Sequence, residues 1–450
     1  MINAKLLSRK ISCDVLHRIL ELHENIDQAL AQHHEWRNLE KRDRSFTHHL
    51  LLTCLRHLGH IDYILAHYVK RPFKKKDLKL KNILRLALTQ LLWLEIPAYA
   101  VISTMVELAG VELAGSDDLS KKSSSKNHLS LLASKKFINA ILRRITQEDF
   151  KVLKNIPCHF NVPIWLWQSL KQHYGENTAK AIIEIQEIIP PLDLNIHPTL
   201  NLKDMAEKLD GIILPTNNIR KINYKGMIKD LPDYQEGSWW VQDSAATLPA
   251  LLLEPVKDKE VLDLCAAPGG KTMQLISLGA KVTAVDHSEQ RLVKLKENLA
   301  RLKFSADVIC ADILNWTPHK LYSHILLDAP CSATGTLRRN PDIMWLRQLR
   351  DVEFMATQQV KFLNAAYDML DHGGILVFST CSLNKEEGEY HLDRLLAESN
   401  KRWNFIPIKA EEIYGLDYCL TSRGELRTLP CYWKEQGGMD GFYAMRLQKL

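Results

Sequence analysis

Two hydrophobic periods divide this chain, and no single-layer fold accommodates both. From about residue 10 to 145, apolar side chains recur every three to four positions, the spacing that gathers them on one face of a helix. Beyond about residue 236, short β-branched runs alternate with helical stretches, as βαβ units around a parallel sheet require. The first region is therefore expected to be all-α, with amphipathic helices over 13–30, 45–68, 81–94 and 134–144. A polar, serine-rich stretch at 115–130 has no core-forming face and is expected to be a surface loop. Between the two regions, 190–199 alternates as a strand, 202–209 as a short helix and 212–214 as a second strand. The fold class that follows is multidomain α plus α/β, with domains over 1–146, 147–235 and 236–450. A length of 450 residues, 46% of them hydrophobic, suffices to give each its own core.

Charge separates the same regions. The whole chain is +6, but residues 1–150 carry 24 basic and 16 acidic side chains, so that third is +8 and the remainder −2. Most of the excess lies in KRPFKKKDLKLKNILR, where Lys70, Arg71, Lys74, Lys75, Lys76, Lys79, Lys81 and Arg85 face only Asp77. Such a run releases counterions on binding phosphates, so Lys70, Arg71, Lys74, Lys75, Lys76 and Lys79 are the candidate RNA-binding set. A solvated helix edge is the plainer reading. Nine cysteines without a Cys-x-x-Cys pair argue for reduced thiols and against ribbon-type zinc sites, so no metal site is expected. No apolar run approaches the length of a membrane span or a signal core, and a cytoplasmic protein is expected.

EVLDLCAAPGGKT is an apolar strand that enters a Pro-Gly-Gly turn and then a helix. Such a turn lets backbone approach a ligand and aims helix amides at it. A Walker A loop would need glycine where Cys265 stands, and the dinucleotide fingerprint G-x-G-x-x-G is absent. The remaining candidate is the Rossmann-like turn that holds S-adenosylmethionine. Asp286, Asp312 and Asp328 follow three successive strands expected at 281–285, 306–310 and 324–327, at the edge where open α/β sheets bind ligands. Any one of them could instead be a helix cap.

Two thiols leave the sheet at this same edge: Cys331 in DAPCSATG and Cys381 in FSTCS, after a strand expected at 374–379. Cys13, Cys54 and Cys310, within helices or strands, are expected to be buried packing residues. Beside a methyl donor, a thiol has a specific use. Carbon 5 of cytosine is not nucleophilic until a thiolate adds to carbon 6, and a carboxyl group such as Asp328 can hydrogen-bond the ring as charge develops. These arguments leave open which thiol attacks.

DLCAAPGGKT, DAPCSATG and FSTCS, in that order, resemble the RNA 5-methylcytosine methyltransferases of the Nol1/Nop2/Sun family. NILRLALTQLLWLEIPAYAVI and KFINAILRR are similar to the NusB-like RNA-binding domain fused to bacterial members that modify ribosomal RNA. LDLNIHPT resembles the family's small RRM-like domain, and GSWWVQDSAATL its lead-in to the Rossmann-like class I methyltransferase domain; LRRNPDIMWLR and MDGFYAMRL also match. The resemblance implies that Cys265, Ala266, Ala267, Pro268, Gly269, Gly270, Lys271, Asp286, Asp312 and Asp328 contact S-adenosylmethionine or the target base. It further implies Cys381 as nucleophile, Cys331 as its aid in product release and Asp328 as base contact. In DNA cytosine methyltransferases the Pro-Cys thiol attacks, so Cys331 is the rival. Two features depart from the pattern: the 115–130 insertion, and Gly388 in KEEGEY where asparagine is usual, which weakens any role for Glu386 or Glu387.

The expected activity is S-adenosylmethionine-dependent methylation of carbon 5 of one cytosine in small-subunit (16S) ribosomal RNA, free or partly assembled, by a monomer. The target base must unstack to reach a buried thiol, so a loop or single strand is expected. Alternatives are a non-catalytic NusB-like assembly factor, or the same chemistry on another RNA such as tRNA. Zinc-dependent deamination fails on spacing, because no Pro-Cys here is followed by a cysteine three residues on.

Overall fold

The structure is a computed structural model that describes residues 4–114, 125–148, 156–224, 226–398 and 402–450. It comprises two compact units, Met1–Gln168 with Asn340–Leu346, and Ser169–Arg339 with Arg347–Leu450.

The first unit is helical, with helices at Ala4–Leu22, Ile26–Ala31, Lys41–Arg56, Leu58–Tyr68, Leu78–Leu92, Ala98–Ala114 and Ser125–Gln147. The helix expected over 13–30 is two. His23 adopts a left-handed φ of 56°, and Asn25 caps the next helix by accepting from the Gln28 amide. The 45–68 helix is likewise divided at His57, whose φ of −114° and ψ of 15° leave the helical region. Ala98–Ala114 escaped the periodicity because its buried residues Val101, Met105, Leu108 and Ala109 sit among other apolar side chains. Of the expected 115–130 loop, residues 115–124 lie outside the described residues. The rest is corrected: helix begins at Ser125. Leu16, Ile19, Leu50, Leu51, Leu55 and Leu88 are wholly buried in one core, each contributing about 1.5–3 kcal/mol through transfer from water. Asn340–Leu346, from the stretch expected to form the α/β domain, packs with these helices. The Trp345 indole donates to the Leu55 carbonyl at 2.8 Å, and Asp342 accepts from the Ile26 amide at 3.2 Å.

The second unit holds two sheets. The smaller is antiparallel, built from β1 (Leu192–Ile196), β2 (Ile212–Ile213), β3 (Ile219–Lys221) and β4 (Trp239–Val241) in the order β2-β3-β1-β4, with a helix at Leu202–Lys208. Its anchor is a buried pair in which the Arg220 Nε and Nη2 each donate at 2.7 Å to Asp193. Asp193 also accepts from the Ser244 amide at 3.0 Å, which ties this sheet to the helix Ser244–Leu251 leading into the larger one.

The larger sheet contains β5 (Glu260–Leu264), β6 (Lys281–Asp286), β7 (Asp307–Cys310), β8 (Tyr322–Asp328), β9 (Leu370–Thr380), β10 (Trp403–Phe405), β11 (Leu426–Arg427) and β12 (Tyr443–Lys449). Its order is β10-β12-β9-β8-β5-β6-β7, with β11 paired to β12. Strands β5 to β9 are mutually parallel and β12 runs antiparallel to β9. The order reverses at β5, with β6 on one side and β8 on the other, which opens a crevice above the carboxyl ends of these strands. Both faces are covered, with Val261, Leu326 and Val377 buried in one core and Leu262, Leu327 and Phe378 in the other.

Candidate active site at the carboxyl edge of the large sheet

The turn after β5 is shaped by its backbone. Cys265 has φ 61° and Gly269 φ 106°, and the helix Gly270–Ser277 starts with no side chain capping its amides. A Cβ on Gly269 would stand 2.9 Å from Leu295 and Met273, so the close turn requires glycine. Asp286, the last residue of β6, is buried and accepts from the Ala267 amide at 3.1 Å and the Ser288 amide at 2.9 Å. Arg291 approaches the same carboxylate at 3.5 Å and donates to the Ala267 carbonyl. Asp312 lies two residues beyond β7, exposed, and holds its own turn by accepting from the Leu314 amide at 3.1 Å and the Asn315 side chain at 2.8 Å.

Asp263 was not singled out from the sequence, although it stands in the quoted DLC segment. It is wholly buried; its Oδ2 accepts from the Thr272 hydroxyl at 2.6 Å while its Oδ1 has no partner. Burial outweighs that bond and raises its pKa to about 7.

The register pairs Asp328 with Ser379 across β8 and β9, so the chain segments leaving these two strands run side by side. Asp328 accepts from Lys271 Nζ at 2.8 Å and from the Ser379 hydroxyl at 2.9 Å. The Lys271 ammonium also lies 4.7 Å from the centre of the Phe442 ring. Three residues past Asp328 and two past Ser379, Cys331 and Cys381 meet with their sulfurs 3.4 Å apart. The hydrogen bond to Cys381, then burial, pushes the Cys331 thiol well above its ordinary value. The loops are also joined through backbone, because the Gly335 amide donates to the Cys381 carbonyl at 2.9 Å. A Cβ on Gly335 would lie 1.9 Å from the Gly441 carbonyl oxygen, so no larger residue fits this approach.

Beneath the thiols is a buried polar cluster that sequence reasoning discounted. Glu387 accepts from the Ser332 amide at 2.7 Å, from the Ser382 hydroxyl at 2.5 Å, from Gln359 Nε2 at 3.2 Å and from the Ser332 hydroxyl. Burial raises its pKa despite these donors. The KEEGEY stretch was the available signal. Gly388 sits in that stretch where a Cβ would come within 2.6 Å of Arg427 Nη2, a guanidinium that donates to the Ser382 carbonyl and pairs with Glu389.

Of the other cysteines, Cys13 and Cys54 are buried as expected, but Cys310 is exposed. β7 is the edge strand of the sheet, so Cys310 is paired with Asp286 of β6 on one side and has no strand on the other. In the basic segment, Lys79 reaches Glu112 at 3.1 Å, while Lys81 and Arg85 close on Asp62 at 2.8 and 2.6 Å. Lys70, Arg71, Lys74, Lys75 and Lys76 are exposed.

Residues 250–448 match the family model for 16S rRNA methyltransferase RsmB/F, and residues 7–121 match that of the NusB family. Ribosomal RNA small subunit methyltransferase B of Yersinia pseudotuberculosis is 30% identical over 403 residues, spanning 86% of this chain and 89% of that relative. The solved structure of PH0851 superposes with TM-score 0.74 at 20% identity, over 100% of this chain and 99% of that one. The structure of NSun6 from Pyrococcus horikoshii with SFG gives TM-score 0.55 at 19% identity over 64% and 98%. The parallel sheet and its glycine turn thus belong to an S-adenosylmethionine-dependent methyltransferase. The chain as a whole is a member of the RsmB/F family of rRNA methyltransferases, with an N-terminal NusB domain. Among the described residues, no helix is long and apolar enough to cross a membrane.

Proposed function

We propose that this enzyme methylates carbon 5 of one cytosine in small-subunit rRNA through a covalent bond between Cys381 and carbon 6. The observation that carries the reading is the pair of sulfurs at 3.4 Å beside the Lys271–Asp328 pair. Two thiols in contact can divide nucleophilic addition and release between them.

The turn suits S-adenosylmethionine: the uncapped helix amides, the partnerless Asp263 Oδ1 and the Gly269 approach form a polar cradle. Cys265, Ala266, Ala267, Pro268, Gly269 and Gly270 would line it, with Asp286 toward the ribose and Asp312 toward the adenine. When bound, the cofactor supplies an electrophilic methyl group. The Cys381 thiolate adds to carbon 6, Asp328 steadied by Lys271 holds the ring polar edge, and carbon 5 becomes nucleophilic enough to take the methyl. Once Cys381 is a thioether it no longer accepts a hydrogen bond of the same strength from Cys331. The Cys331 thiol can then lose its proton to solvent, and the resulting thiolate takes the carbon 5 proton as the Cys381–carbon 6 bond breaks. This restores one thiol and one thiolate.

The substrate assignment is tested by bisulfite sequencing of RNA from cells lacking the gene. Loss of a single 5-methylcytosine from 16S rRNA is the expected result. A loss confined to tRNA, or no loss, overturns the assignment.

The proposed partition gives RNA grip to 1–146, orientation to 147–235 and chemistry to 236–450, in a cytoplasmic monomer. Lys70, Arg71, Lys74, Lys75 and Lys76 are the proposed phosphate contacts; Lys79, engaged by Glu112, contributes less. Replacing Lys74, Lys75 and Lys76 with glutamine should weaken RNA binding and reduce the slope of log affinity against log salt by about 2, at roughly 0.7 per single-strand phosphate contact. Calorimetric affinity for S-adenosylmethionine should not change. An unaltered salt slope would leave the segment a solvated surface.

A further inference from the structure

We infer that Glu387 is a positioning residue that sets the spacing of the two thiols by clamping Ser332 and Ser382; this rests on the two-thiol reading above. Ser332 directly follows Cys331 and Ser382 directly follows Cys381, so the same carboxylate grips both loops one residue from each sulfur. Four donors converge on it: the Ser332 amide, both serine hydroxyls and the Gln359 side chain. Both serine hydroxyls donate to this carboxyl group, which fixes both rotors. All of these groups are buried, and water does not replace an acceptor that is removed.

A third element reinforces the clamp. Gln359, on the helix Leu349–Met369, donates to the Pro330 carbonyl at 2.9 Å as well as to Glu387, and its Oε1 lies 2.8 Å from His391 Nε2. The residue before Cys331 and the residue after it are thus held by the same small network. The loops have other ties that do not involve Glu387, notably Gly335 to Cys381 and the Leu383 amide to Thr334 Oγ1 at 2.9 Å. Removing the clamp should therefore loosen the thiol geometry without opening the fold. Glu387 hydrogen-bonds to neither sulfur: it positions the loops through the two serines, and its charge adds to the rise of the Cys331 pKa.

The test uses the full-length enzyme with rRNA, and compares Glu387→Ala, Glu387→Gln and Cys331→Ala. Glu387→Ala should lower kcat about 100-fold, the scale of a displacement near 1 Å in a reacting pair. RNA KM and calorimetric S-adenosylmethionine affinity should stay within about twofold. Glu387→Gln keeps the shape and one acceptor oxygen and should recover most of the lost rate. In the Cys331→Ala background, Glu387→Ala should slow formation of the covalent RNA adduct by the same factor. Wild-type kcat in Glu387→Ala overturns the inference, and so does a fall in cofactor affinity or thermal stability large enough to account for the lost rate. If Cys331→Ala alone, with Glu387 intact, forms no adduct, the two-thiol reading itself fails and takes this inference with it.

Discussion

Cys381→Ala is expected to abolish methyl transfer to rRNA, with kcat/KM falling by about 10⁴- to 10⁶-fold, the range seen when a covalent nucleophile is deleted. Nothing else at the sheet edge can substitute by default. Cytosine carbon 5 requires prior addition at carbon 6, and although Cys381→Ala removes the hydrogen bond to the Cys331 sulfur 3.4 Å away, the burial that also raises that thiol's pKa remains. A protonated thiol is a poor nucleophile. The measurement is transfer of labelled methyl from S-adenosylmethionine to rRNA, with calorimetry as a control that cofactor binding survives. Retention of full transfer in Cys381→Ala would make Cys331 the attacker, as in the DNA enzymes, or remove the covalent mechanism altogether.

The second large effect is accumulation rather than loss. Cys331→Ala should leave addition and methylation intact while blocking release, so a protein–RNA adduct that resists denaturing gels should build up to about one per enzyme. Mass spectrometry should find methylated cytidine on the peptide containing Cys381. The chemistry behind this is the division of labour between two sulfurs. Removing the carbon 5 proton needs a base within reach of the adduct, and alanine supplies none. Cys331→Ala with wild-type turnover and no adduct would assign release to another group, and an adduct on a different peptide would relocate the nucleophile.

Much of this arrangement was legible in the sequence because it depends on local chain geometry. The strand-turn-helix of DLCAAPGGKT was readable from an apolar run followed by Pro-Gly-Gly, and the turn found after β5 has the left-handed glycine such a turn needs. The strand and helix expected at 190–199 and 202–209 were found as Leu192–Ile196 and Leu202–Lys208. Periodicity was less able to find interruptions. His23 and His57 break helices without proline or glycine to mark the break, and apolar pattern alone runs straight through them. Nor does charge along the chain reveal pairing. Lys79, Lys81 and Arg85 looked free, yet their partners Glu112 and Asp62 lie on other helices.

Cys310 and Glu387 show the same limit from opposite sides. A cysteine ending an edge strand has a neighbouring strand on one side only, and β7 is the edge, with Cys310 exposed. A glutamate in an acidic stretch ordinarily faces water, but this one is buried because two serines, an amide and a glutamine converge on it.

The sequence by itself determined that Asp328, Cys331 and Cys381 would emerge at the carboxyl ends of strands, since strand direction and turn position are local properties of the chain. Only the tertiary structure decided that β8 and β9 are neighbours, with Asp328 opposite Ser379. That one parallel pairing closes a separation of 50 residues and brings the two sulfurs to 3.4 Å. The physical reason is that strand order is set by how both faces of the sheet are buried at once, a condition on the whole unit that no window of sequence contains.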